Sequence, residues 1–80
     1  MHEFKLVADI LRDVLKAAEK AEAQKVSIVR LRVGENCHAK PDNLEFLFKQ
    51  AARGSMAEAA KLKITVVPGA DLILDSIQID

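Results

Sequence analysis

Met1, His2 and Glu3 open the chain with the densest set of potential ligands in it. If Met1 stays in place unmodified, its free α-amine lies beside the His2 amide and the His2 imidazole. Three nitrogens so placed can chelate one ion in a plane, and the Glu3 amide or carboxylate can supply a fourth donor. Ni(II) and Cu(II) both favour square-planar nitrogen and oxygen donors, so the pattern suits either metal. The plain alternative is a solvated terminus with an acid in the first turn of a helix.

A second group of ligand types, Glu35, Cys37 and His38, falls within one short loop. There too a plain reading stands beside the metal one: Cys37 as a small apolar filler and His38 as a wet loop residue. Adjacent residues on an extended segment point in opposite directions, so Cys37 and His38 do not form a thiolate–imidazolium pair. The only hydroxyls, Ser27, Ser55, Thr65 and Ser76, fall in strands or caps. Three glycines leave no room for a phosphate-cradling loop. No catalytic residue emerges, and the chain is not read as an enzyme.

The elements that must position these residues are legible from periodicity. Residues 4–22 predict an amphipathic helix, with Val7, Ile10, Leu11, Val14, Ala18 and Ala21 at three- and four-residue steps. Lys25 to Val33 predicts a half-buried strand, with Val29, Leu31 and Val33 inward. Arg30 and Arg32 then lie on its wet face, as solvated side chains or a partner-docking surface. Gly34 ends the strand. Pro41 suits the first position of a second helix, with Leu44, Leu47, Phe48 and Ala51 inward and Gly54 as a left-handed cap. Ser55 to Glu58 has capping-box spacing, which predicts a short further helical turn.

Leu62, Ile64 and Val66 alternate with Lys63, Thr65 and Val67 in a second strand. Pro68-Gly69 fits the centre of a type II turn, so the third strand, Leu72 to Asp80, is expected to pair with the second as a hairpin. Its apolar residues change parity between Leu74 and Ile77, which a bulge or two buried faces would explain. The expected fold is α+β, a three-stranded mixed β-sheet with two α-helices packed on one face. The helix-linked strands should run parallel.

With 80 residues, half of them hydrophobic, the chain makes one small domain. Twelve basic and twelve acidic residues cancel, which argues against nucleic acid and anionic membranes as partners. A single cysteine rules out an internal disulfide. No stretch approaches the roughly 20 apolar residues of a membrane span, and no signal peptide opens the chain. A cytoplasmic protein is expected, as a monomer or weak homodimer.

Several motifs, in order, resemble the HypA/HybF family of hydrogenase and urease nickel-incorporation proteins. They are Met1-His2-Glu3 opening a helix, Arg32-Val33-Gly34-Glu35, and Pro41-Asp42-Asn43-Leu44-Glu45-Phe46-Leu47-Phe48. Then follow Gly54-Ser55-Met56-Ala57-Glu58 with Leu62-Lys63-Ile64, Val67-Pro68-Gly69, and the tail Ser76-Ile77-Gln78-Ile79.

The resemblance implies a nickel chaperone that binds Ni(II) through Met1, His2 and Glu3. It implies delivery to [NiFe]-hydrogenase, with a GTPase maturation partner and the hydrogenase large subunit as contacts. It also places the 35–38 loop near the terminus, where Glu35, Cys37 and His38 could reach the metal. The alternative function is a metal-free interaction domain that keeps the fold and the docking but not the delivery. One departure is large. Family members carry two Cys-x-x-Cys pairs holding zinc between the Pro-Gly and the last strand, whereas here Ala70-Asp71 runs straight into that strand. Residues 1–80 are therefore expected to form a single nickel-binding domain without zinc, since tetrahedral zinc needs four ligands.

Overall fold

Val7, Ile10, Val14 and Ala18 are all buried, and their spacing winds the first segment into α1, His2–Lys20. The computed structural model describes residues 2–80, apart from the side chain of His2. The helix begins two residues earlier than its periodicity predicts and stops two residues sooner. Glu22 takes a left-handed φ of 55°. The Ala23 N–H then donates to the Ala18 carbonyl and the Glu22 N–H to the Glu19 carbonyl, each at 3.0 Å. This closes the helix in the manner usually reserved for glycine.

β1, Val26–Gly34, follows, then α2, Pro41–Ala51, β2, Lys61–Val67, and β3, Leu72–Ile79. Pro41 sits at the start of α2 as expected, and Leu44 and Phe48 are its buried residues. Gly54 has a φ of 80°, but two residues beyond the helix cap at Ala52. Ser55–Glu58 forms hydrogen-bonded turns rather than a further helix. The Ser55 hydroxyl donates to the Ala52 carbonyl at 2.7 Å and accepts from the Ala57 N–H at 3.1 Å. The Glu58 carboxylate accepts from the Gly54 N–H at 3.1 Å. Each side chain bonds one residue away from its capping-box partner, so the reciprocal pair of the motif does not form and no helix follows.

The sheet is mixed, as expected, with order β2-β1-β3. β1 pairs parallel with β2 and antiparallel with β3. The expected hairpin between β2 and β3 does not form, because β1 lies between them. Pro68-Gly69 instead starts a link that crosses the end of β1. The two-strand gap is about 9.6 Å wide, and the five Cα steps from Val67 to Leu72 reach at most about 17 Å. The link runs tight against the last residue of β1.

That residue is Gly34, where an added Cβ would lie 2.4 Å from the Gly69 carbonyl oxygen and 2.7 Å from the Ala70 nitrogen. Backbone hydrogen bonds lock the crossing. The Gly34 N–H donates to the Asp71 carbonyl at 2.7 Å, Glu35 N–H to Val67 at 2.7 Å and Asn36 N–H to Gly69 at 2.8 Å.

The parity change in β3 is a bulge. Arg30 pairs with Ser76 and Leu31 with Leu74, leaving Asp75 unpaired. Leu72 and Leu74 before it, and Ile77 and Ile79 after it, all pack against the core. Both helices cover the same face, and Val7, Ile10, Leu31, Leu44, Phe48, Leu62 and Leu72 converge between the layers. Every buried residue is apolar among those described.

Gly34→Ala should be the costlier of two glycine substitutions, at about 3 kcal/mol, because the new methyl meets fixed backbone. Gly54→Ala, with open space around it, should lose only about 1 kcal/mol, from its positive φ. Urea unfolding of both variants would check this; equal losses would show that the crossing has room to move.

Candidate metal centre

Chelation through a terminal amine and the first backbone amides requires amide nitrogens that no carbonyl already holds. The first four N–H groups of a helix have no partner within it. α1 starts at His2, so the His2 and Glu3 amides fall within that unpaired turn. His2 is thus the first helical residue rather than one preceding the helix. Glu3 follows in the first turn and is half-buried. The positive end of the helix dipole disfavours a cation there, and the Glu3 carboxylate offsets it. Met1 and the side chain of His2 lie outside the described residues.

A cleft opens beside this end of α1, lined by Lys5, Leu6, Asp9, Asn36, Cys37, His38 and Ala70. Three segments meet in it: the first turns of α1, the loop after β1 and the crossing over Gly34. The crossing holds the loop, since the Asn36 N–H is bound to Gly69 and the Cys37 N–H to Gly34. Two of the three loop candidates, Cys37 and His38, thus share a cleft with α1. Glu35 is exposed and does not line it. His38 is exposed, whereas Cys37 is 8% exposed and packs within the hydrophobic core. Its placement follows the apolar-filler reading more closely than that of an open ligand.

Lys5 and Asp9, assigned from periodicity to the solvated face of α1, also border the cleft. The signal lay in their spacing, since Lys5 and Asp9 are four residues apart and share one side of α1. Asp9 is engaged by Lys5 at 3.6 Å and Arg12 at 3.5 Å, so its carboxylate is already neutralised. Among the described residues, no group of three or more His, Cys, Asp or Glu side chains is arranged to hold a metal ion. The described part of the cleft therefore supplies at most supporting donors.

Comparison with known proteins bears on this arrangement. Residues 1–71 match the family described as hydrogenase/urease nickel incorporation, metallochaperone, HypA. The hydrogenase maturation factor HypA of Archaeoglobus fulgidus is 46% identical over 66 residues, covering 82% of this chain and 60% of that protein. The HypA of Methylocella silvestris is 38% identical over 69 residues, covering 86% of this chain and 61% of its own. This chain thus spans about three-fifths of the length of these relatives. The solution structure of the nickel metallochaperone HypA from Helicobacter pylori superposes with a TM-score of 0.73 at 17% identity. That match covers 92% of this chain and 70% of the other, and it bears on the fold. With its first 71 residues matched by the family model, the chain belongs to the HypA family of nickel-incorporation proteins.

Proposed function

We propose that this chain is a nickel-binding module for [NiFe]-hydrogenase maturation, holding Ni(II) as cargo and passing it on with a GTPase partner to the hydrogenase large subunit. The observation that carries the reading is the start of α1 at His2, which leaves amide nitrogens free beside the terminal amine. Family membership supports nickel over copper as the ion. In this reading Met1 provides the amine, His2 its amide and imidazole, and Glu3 the remaining donor. The cleft at Cys37 and His38 borders the exchange route, with His38 as the exposed group that an incoming partner would meet. The module is a carrier rather than an enzyme and needs no zinc. A competing reading, a metal-free interaction domain on the same fold, draws support from the exposed sheet face described below and predicts no nickel binding.

The untagged chain should bind about one Ni(II) in a square-planar, diamagnetic form. A chain extended by two residues before Met1 should bind far more weakly, because its α-amine is displaced. Equal binding by the two, measured by calorimetry and absorption spectroscopy, would end the terminal-chelate reading. His2→Ala should lower affinity at least tenfold, about 1.4 kcal/mol, while the metal-free melting temperature hardly changes.

Binding also releases protons, since amine, imidazole and amide donors must all be deprotonated. Imidazoles and α-amines ordinarily titrate near about 6.5 and about 8. Affinity should therefore rise with pH across that window and fall steeply on acidification. A flat profile between those limits would point to carboxylate ligands.

The chelator-treated protein should keep a cooperative thermal transition, because every described buried side chain is apolar. Chelation should remove only the stabilisation that mass action lends to the bound ion. Loss of the transition would reveal a structural metal.

A further inference from the structure

On the face of the sheet turned away from the helices, alternation places Arg30 and Arg32, and the strand register adds two lysines. Lys63 lies directly beside Arg30, and Lys61 lies beside Ile28 one row away. The four cations thus occupy adjoining positions, about 4.8 Å apart between strands and about 6.7 Å apart along them. Like charges facing one another across neighbouring strands cost stability.

Lys61 and Lys63 border a cleft that Glu45 and Glu58 also line, but neither lysine is in an ion pair among the described residues. Arg32 meets Asp75 at 3.3 Å, the one ion pair on this face among the described residues. Arg30 reaches only the neutral side-chain amide of Gln78, at 3.3 Å. The whole chain is electrically neutral, so this concentration of charge is created by the register and not by composition.

We infer that this basic sheet face docks an acidic segment of a protein partner. Guanidinium groups hold carboxylates in a two-point fork. Beside them Ile73, 42% exposed, offers apolar surface of the kind found at the centre of protein interfaces. A phosphate backbone would leave Ile73 unused, whereas a peptide can bring an apolar side chain to it between its carboxylates. A neutral chain also has no long-range attraction for nucleic acid or an anionic bilayer. An acidic segment would relieve the Arg30–Lys63 repulsion that the isolated fold retains. This surface does not depend on the terminal metal, so it can be tested on metal-free protein.

The probe is an acetylated peptide of four Glu-Thr repeats, whose carboxylates line one side when extended. Four Gln-Thr repeats serve as the control. Titrated into nitrogen-15-labelled protein, the acidic peptide should shift backbone amides around Arg30, Arg32, Lys61 and Lys63 and leave those of α1 unmoved. Its affinity should fall at least about fivefold between about 50 and about 300 mM salt. A similar fall is expected in the Lys61→Glu, Lys63→Glu double variant, whose side chains are exposed and so leave the core intact. Lys63→Gln, a milder change, should weaken binding in the same direction should the double variant fail to fold. Shifts confined to the helices, binding no better than the Gln-Thr control, or preference for a short DNA duplex or phosphatidylglycerol vesicles would each overturn the inference.

Discussion

Everything in this domain leans on β1. Among the described residues it is the only strand with two neighbours, and its inward residues Val26, Val29, Leu31 and Val33 are each no more than 3% exposed. Because β2 and β3 flank it, the chain has to cross its end, and the short link crosses against Gly34. A side chain at that position would push the link away and break the hydrogen bonds from Gly34, Glu35 and Asn36. The same bonds shape the loop carrying Cys37 and His38. One missing Cβ therefore joins sheet topology to the cleft beside the helix start.

The candidate metal centre and the basic face follow different physics. The first relies on chain chemistry at a helix start, where unpaired amides and an amine lie together by virtue of sequence adjacency alone. Folding contributes mainly by winding α1 from His2 and by bringing a loop alongside. The second exists only because two strands far apart in sequence lie in register. Neither relies on a buried charge, and the described core contains no polar group. Both proposed surfaces are thus largely decoupled from the packing of the core.

Local patterning was enough to read most of the architecture. The stripe of α1, the wet arginines of β1, Pro41 at the start of α2 and the parity change in β3 all follow from periods of 3.6 and 2 and from proline geometry. Each depends on residues close in sequence, where side-chain direction is set by the backbone itself. The end of α1 escaped that logic because a glutamate, not a glycine, takes the left-handed position at residue 22. The turns after Gly54 escaped it because Ser55 and Glu58 bond to Ala57 and Gly54 rather than to each other's backbone.

The order of the strands could not be read in the same way. Pro68-Gly69 is locally well suited to a hairpin, and nothing nearby argues against one. What decides the matter is a competition for the second edge of β1, the most buried strand, which only the assembled sheet resolves. The sequence by itself determined the helices, the strand faces and the donor-rich terminus, because those arise from covalent neighbours. Tertiary structure alone decided that Gly34 is a crossing point, that Cys37 points into the core while His38 faces out, and that Lys63 stands beside Arg30. Each of these is a contact between segments that the chain brings together only by folding, and alternation along a single strand carries no record of its neighbour.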